Sequence, residues 1–252
     1  MEPFLKRTWA QVDLDALDHN IREIRSAIAP SAKLMCVIKA DGYGHGAVPL
    51  AKESEAAGAD WFAVSNLEEA QELREAGIQK PILILGFTPD SDARLLAQME
   101  ISQAVLSESH ARQLSSYAQE AGTRVRVHIA VDTGMTRIGL SAQNQTQALE
   151  AAAAARRIAE LPGLLLEGLF THFAVADEAE AGADYTKRQY QSFRLVADTL
   201  KGWGISIPFC HCSNSAGILD YPEMNFNLVR AGIILYGLQP SSKVRRPLDL
   251  RP

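Results

Sequence analysis

The sequence predicts an α/β fold, a (β/α)8 TIM-like barrel with an N-terminal helix closing its outer ring. Eight short apolar runs alternate with amphipathic helical segments, the pattern of buried parallel strands joined by crossover helices. The chain has 252 residues, 47% of them apolar, which is the usual size of one such barrel and enough for a large core. One further helical segment precedes every strand, where it can cover the gap between the last strand and the first.

That first helix starts at Asp13, a capping residue, and its apolar positions Leu14, Leu17, Ile21, Ile24 and Ile28 repeat at three- and four-residue intervals. The strands and helices then follow in turn. Strand one is Leu34 to Lys39, followed by a helix to Ala57; strand two is Trp61 to Ser65, followed by a helix from Leu67 to Ala76. Pro81 to Phe87 is the third strand, before a helix at Asp92 to Met99. Ser102 to Leu106 is the fourth, before a helix from Ser109 to Ala121 that Gly122 ends as a C-cap. Val125 to Val131, Leu164 to Thr171, Ile207 to Cys212 and Asn227 to Tyr236 complete the eight. Helices near Gln143 to Leu161, Lys187 to Trp203 and Ser215 to Leu219 lie between them. An open doubly wound sheet is the alternative, and it is disfavoured because no Gly-x-Gly-x-x-Gly follows any strand.

Charge and composition exclude several classes of function. The net charge of −5 comes from interspersed residues with no basic stripe, so no nucleic acid partner is expected. No apolar run approaches the roughly 20 residues of a membrane helix, and Met1 to Ala10 lacks a signal peptide's apolar stretch. A cytoplasmic protein with no membrane partner is the expectation. Cys36, Cys210 and Cys212 fall in strands and read as small buried apolar residues. Cys210 and Cys212 face one side of a strand and His211 the other, so no metal site is expected.

The unusual polar residues cluster at the C-terminal ends of strands, where barrel active sites lie. Lys39 closes strand one ahead of the loop Ala40-Asp41-Gly42-Tyr43-Gly44-His45-Gly46. With its stem among apolar neighbours, such an amine pays to stay charged and suits Schiff-base chemistry, although a strand-end lysine also snorkels to water. Arg137 follows strand five, His172 ends strand six, Asn214 and Ser215 follow strand seven, and Arg230 interrupts strand eight. Singly they read as a solvated loop charge, a core histidine, a helix cap and a barrel-lining residue held by a carboxylate. Together they point to one rim. The segment Ser213 to Gly217 and the glycine at 232 also bring backbone N–H groups and hydroxyls together where an anion could bind.

The run V-I-K-A-D-G-Y-G-H-G resembles the pyridoxal phosphate attachment motif of the alanine racemase family. V-D-T-G-M-T-R-I-G, T-H-F-A-V-A-D, C-S-N-S-A-G and V-R-A-G-I-I-L-Y-G extend the resemblance over nearly the whole chain. The resemblance implies a barrel that binds pyridoxal 5′-phosphate as an aldimine on Lys39 and interconverts L- and D-alanine, supplying D-alanine for peptidoglycan. It implies Tyr43, Ser215, Gly232 and Ile233 at the phosphate, with Asn214 and Tyr236 beside them, His172 against the pyridine ring, and Arg230 at the ring nitrogen. Arginine only donates, so that nitrogen would be an unprotonated acceptor and the ring a weaker electron sink, which suits simple removal and return of a proton. Arg137 matches the residue that meets the cofactor's phenolic oxygen and positions the substrate carboxylate.

Two departures stand out. Many family members carry a carbamylated lysine seven residues before that arginine, and this chain has Ala130. The family's second acid/base is a tyrosine from the C-terminal β-domain of the partner subunit, and none of the tyrosines at 43, 117, 185, 190, 221 and 236 matches it. Residues 1–240 are therefore expected to be the cofactor barrel and 241–252 the start of the crossover to a C-terminal β-domain. A full-length protein would be a homodimer, and this chain alone is expected to have little activity. The alternatives are a non-catalytic pyridoxal phosphate module, a racemase for another small amino acid such as serine, and a decarboxylase, the last disfavoured by the lack of a glycine triplet.

Overall fold

The computed structural model describes residues 8–252, so the part of the N-terminal reading that falls on residues 1–7 lies outside the described residues. Helix α1 (Leu14–Ala27) begins as its sequence dictates: the Asp13 carboxylate accepts hydrogen bonds from the N–H groups of Asp15 and Ala16, at 2.9 and 3.1 Å. Its buried stripe of Leu17, Ile21 and Ile24 faces the barrel.

Eight parallel strands make the wall: β1 (Lys33–Val37), β2 (Trp61–Val64), β3 (Ile82–Ile84), β4 (Ile101–Val105), β5 (Val125–Asp132), β6 (Leu164–Phe170), β7 (Phe209–His211) and β8 (Leu228–Ala231). From β1 to β7 each pairs with its sequence neighbour, and β8 pairs with β1, with Met35 opposite Arg230. The strand order therefore never reverses, which excludes the doubly wound alternative. Between β7 and β8 the wall is stitched by few bonds. Arg230 N–H donates to Ser213 O at 3.1 Å, and the Asn227 side chain stands in for backbone, accepting from Cys210 N–H (2.9 Å) and donating to Pro208 O (2.6 Å).

Seven helices follow the strands: α2 (Ala47–Ala56), α3 (Leu67–Glu75), α4 (Ala93–Gln98), α5 (Glu108–Glu120), α6 (Gln145–Ala159), α7 (Glu180–Gly202) and α8 (Ser215–Asp220). Asn66, Ser107, Asn144 and Asn214 cap α3, α5, α6 and α8 with their side-chain oxygens, so these strand-to-helix loops end on a residue that supplies the missing acceptor. As expected, α1 fills the outer ring at the β8–β1 seam. Its Asn20 side chain donates to Leu235 O at 3.1 Å and accepts from Arg251 N–H at 2.7 Å, tying the last residues back to the barrel.

Several expectations need correction. Strand one ends at Val37, two residues short of Lys39, and strand three at Ile84, three short of Phe87. The eighth strand is only Leu228–Ala231, and Ile233–Tyr236 is a 3-10 turn, because Gly232 adopts φ −115°, ψ −103° and breaks the extended path. Strand six ends at Phe170, so His172 lies just beyond it. Helix α7 starts at Glu180, two turns before Lys187, and a two-residue strand, Leu140–Ser141, pairs beside the end of β5.

Candidate active site

The loop after β1 is a left-handed turn spanning Lys39–Gly44. Ala40, Asp41, Gly42 and Tyr43 all have φ between 51° and 60°. For three non-glycine residues this conformation costs on the order of 1–2 kcal/mol each, so bonds must hold it. Ala40 N–H donates to Glu69 Oε1 (2.8 Å), the Asp41 carboxylate accepts from Ala47 N–H (2.7 Å), and Gly42 N–H donates to Ile38 O (2.9 Å). Glycine is required at 42, where a Cβ would sit 2.4 Å from Leu50 Cδ1. The turn brings Lys39 and Tyr43 to the same side, with Lys39 Nζ 6.0 Å from the Tyr43 ring centroid.

A cavity of about 790 Å³ opens at this end of the barrel. Lys39, Tyr43, Arg137, His172, Asn214, Ser215, Arg230, Gly232 and Ile233 all line it, so nine of the ten expected site residues, drawn from five loops, meet in one place. Tyr236 does not line it. Its hydroxyl donates to Val37 O (2.9 Å) and its ring packs 4.9 Å from that of Tyr43, which places it behind the site as a prop. Val37, Leu85, Leu106, Ala130 and Phe170 form an apolar wall.

One corner of the cavity suits an anion. Gly232 N–H donates to Ser215 Oγ at 3.1 Å, and a Cβ built on Gly232 would stand 3.7 Å from Ser215 Oγ and 3.8 Å from the Tyr43 hydroxyl. The missing side chain thus leaves a niche walled by two hydroxyls and a backbone N–H, of a kind that fits a phosphate. Burial pushes the Tyr43 phenol up, so it stays a neutral donor.

Arg230 is 4% exposed and has no carboxylate partner, contrary to the barrel-lining alternative. Its guanidinium donates to the carbonyls of Thr171 (2.8 Å), His211 (3.1 Å) and Cys212 (3.2 Å), and to His211 Nδ1 (2.7 Å). Burial, the first cause, pulls its pKa down to about 10, which still leaves it charged at neutral pH. His172 Nδ1 lies 3.4 Å from Arg230 Nη2. Burial and then the charges of Arg230, Arg137 and Lys39 pull His172 down to about 3, so it is a neutral imidazole.

Arg137 is exposed and its side chain makes no hydrogen bond or ion pair among the described residues. Its loop is nevertheless fixed. Asp132 Oδ1 accepts from Gly134 N–H (3.0 Å) and Thr136 N–H (2.9 Å), and the Tyr185 hydroxyl donates to Gly134 O (2.8 Å). Ala130 sits in an apolar cluster with Ala104 and Phe170 and offers the guanidinium nothing.

His128 carries no expectation from the sequence, and His211 only that of not binding a metal. Both are fully buried inside the barrel beneath Arg230, with His128 Nδ1 2.9 Å from His211 Nε2. The available signal was two histidines on inward-facing positions of strands that are otherwise apolar.

A family model described as "Alanine racemase, N-terminal domain" matches residues 12–240. The alanine racemase of Desulfovibrio desulfuricans is 46% identical over all of this chain and 66% of its own length, and that of Desulforamulus reducens is 45% identical over 94% of this chain and 62% of its own. Among solved structures, the alanine racemase of Clostridium difficile 630 in complex with cycloserine superposes with a TM-score of 0.92 at 40% identity, covering 99% of this chain and 67% of that one. This chain thus spans 62–66% of the length of the two curated relatives. It belongs to the alanine racemase N-terminal domain family.

Proposed function

From that membership we propose that this chain is the pyridoxal phosphate-binding barrel of an alanine racemase, carrying one of the two proton-transfer groups that interconvert L- and D-alanine. The observation that carries this reading is the convergence of Lys39, Arg230 and the Tyr43–Ser215–Gly232 niche on one cavity. These residues fit pyridoxal 5′-phosphate: Lys39 would hold it covalently, and Tyr43, Ser215 and the N–H groups of Gly232 and Ile233 would hold its phosphate. His172 would face its ring, with Asn214 alongside. When bound, pyridoxal phosphate supplies a carbonyl for the substrate amine and an electron sink that acidifies the α-C–H.

The protein's own part is to place charge and move one proton. Lys39 Nζ would take and return a proton on its face of the α-carbon. Arg230, being a donor only, would require a ring nitrogen facing it to be an unprotonated acceptor, which would suit the weaker sink to proton exchange. Arg137, without a side-chain partner among the described residues, would be available to the substrate carboxylate. The opposite face needs its own proton carrier, and Tyr43 is the only tyrosine lining the cavity among the described residues.

Full turnover therefore calls on a group beyond these residues, supplied in a homodimer of the longer protein. Residues 1–240 would form the barrel and 241–252 the lead out of it. The enzyme would act in the cytoplasm, its D-alanine serving cell-wall synthesis. The absence of a second carrier at the cavity favours one alternative, a barrel that binds the cofactor without racemising.

Incubation with pyridoxal phosphate, borohydride reduction and peptide mapping should find a phosphopyridoxyl adduct on Lys39. Folded protein with no adduct there would overturn the reading. Conversion of L- to D-alanine by the chain alone, at a full enzyme's rate, would overturn the claim that the second carrier lies elsewhere.

A further inference from the structure

Beneath the cavity, a single file of polar side chains crosses the apolar interior of the barrel. Arg230 Nη1 meets His211 Nδ1 at 2.7 Å, His211 Nε2 meets His128 Nδ1 at 2.9 Å, and His128 Nε2 meets Glu167 Oε2 at 3.3 Å. Ser102 Oγ donates to the same carboxylate oxygen, and Arg126 Nε lies 3.7 Å from Glu167 Oε1. Both imidazoles are 0% exposed and the Glu167 side chain 17%.

Guanidinium has no acceptor and carboxylate has no donor, so the two ends of this file allow one proton arrangement. His211 Nδ1 must accept from Arg230, which leaves its proton on Nε2. His128 Nδ1 must then accept from His211, and its own Nε2–H points to Glu167. Reversing either imidazole would set two donors against each other inside the barrel, where an unmade bond is costly.

The backbone is shaped to seat the file. Leu166 pairs with Val127 and Gly168 with His128, so Glu167 is the extra residue of a β-bulge, the device by which a strand re-aims one side chain. The next residue must be glycine: a Cβ on Gly168 would lie 2.2 Å from His128 Nδ1. Phe170 stacks on His211 with centroids 5.2 Å apart, and Trp61 packs edge-on to His128 at 5.4 Å.

We propose that Glu167 is a positioning residue for Arg230, acting through His128 and His211 to hold both imidazoles as neutral Nε2–H tautomers. Arg230 then always meets an acceptor at His211 Nδ1, while its Nη2, held by Thr171 O and Cys212 O, lies 3.4 Å from His172 Nδ1 at the cavity. This deepens, and rests on, the reading of Arg230 as the partner of the cofactor's ring nitrogen, but the tautomer claim is testable without cofactor. The charges present agree with it. Burial, aided by Arg230, holds His211 far below its usual pKa, and burial also lowers His128. For Glu167, burial pushes up, but the bonds from His128 and Ser102 and the nearby Arg126 outweigh it and keep the carboxyl ionised.

Nitrogen-15 NMR of the histidine side chains in the full 252-residue chain at neutral pH tests this directly. The expected result is a single neutral Nε2–H tautomer for both His128 and His211. Glu167→Ala should lose that uniformity, giving a mixed tautomer at His128 and a changed His211 signal. Glu167→Gln, whose amide oxygen in the place of Glu167 Oε2 still accepts from both His128 Nε2–H and the Ser102 hydroxyl, should restore the wild-type pattern. A protonated or Nδ1–H His211 in the wild type, unchanged tautomers in Glu167→Ala, or a Glu167→Gln that behaves as alanine would each overturn the proposal. If Glu167→Ala fails to fold, the wild-type and glutamine spectra still decide. Mapping the Lys39 adduct on the same samples reports separately on the cofactor reading, since it needs no particular tautomer below Arg230. Glu167→Ala should form the adduct but hold pyridoxal phosphate about tenfold more weakly before reduction, the loss expected for one charge-assisted bond.

Discussion

The rim of the barrel and the file beneath it handle polar groups in opposite ways. The side chains of Lys39, Tyr43 and Arg137 line the cavity and make no hydrogen bond with the described residues, whereas Arg230, His211, His128 and Glu167 spend their inward-facing groups on one another and on backbone carbonyls. Free donors at a surface cost little, because water satisfies them until a ligand arrives. Free donors in the interior cost about 1–3 kcal/mol each, which favours closed sets such as this one. Arg230 belongs to both regions. Its carbonyl and imidazole bonds fix the guanidinium in the file, and its Nη2 edge faces His172 and the cavity.

Substitutions that separate the two regions should sort by this rule. Lys39→Ala should abolish the borohydride-trapped adduct while leaving the urea midpoint nearly unchanged, since the lysine side chain bonds nothing among the described residues; in a racemising assembly the rate should fall by about 10²–10⁴. A large drop in stability would show that Lys39 has a structural role after all.

Acid should act on the buried histidines. His172, His128 and His211 all have pKa values below the ordinary 6.5, so above that pH both folded and unfolded chains are neutral there and nothing is gained or lost. Below about 6.5 the unfolded chain takes up protons that the folded chain refuses. Stability should then fall by about 1.4 kcal/mol per pH unit on account of His172, continuing toward about 3, with His128 and His211 acting in the same direction. Urea titrations at pH 7 and pH 5 measure this. A flat profile between them would mean that the file accepts protons and is not the neutral set described.

Gly168→Ala drives a Cβ against the His128 ring and should cost about 1–3 kcal/mol. It should also disturb the histidine signals of the file before it affects adduct formation on Lys39, and the reverse order would erase the distinction between the two regions. Gly232→Val is the complementary change at the rim. The backbone there has an ordinary negative φ and the added Cβ only reaches van der Waals contact, so stability should stay within about 0.5 kcal/mol. The branched side chain would fill the anion niche, however, and pyridoxal phosphate titration should show about tenfold weaker binding.

Much of the rim was legible because its signals are local. Strand period, capping residues and glycine-rich loops placed Lys39, Arg137, His172, Ser215 and Arg230 at the ends of strands, and barrel geometry brought those ends together. Element boundaries were less legible. Gly232 breaks β8 through a backbone conformation that an apolar run does not advertise, and the left-handed path of Ala40, Asp41 and Tyr43 is stabilised by Glu69, a residue of another helix. Tyr236 was placed near the phosphate by its position in I-L-Y-G, but its hydroxyl is committed to Val37 O.

By itself, the sequence determined the alternation of strands and helices, the caps, the barrel class and the residue types at the rim, all of which follow from periods and spacings within a few residues. Only the tertiary structure decided which polar groups are left free and which are closed on one another. His128, Glu167, His211 and Arg230 lie on four strands and as many as 102 positions apart, counting from 128 to 230. Their meeting depends on a β-bulge, on a glycine that yields space to an imidazole, and on the register of the closed sheet. Hydrogen-bond direction across such distances is a property of the folded interior, where the absence of water makes every unmatched donor costly.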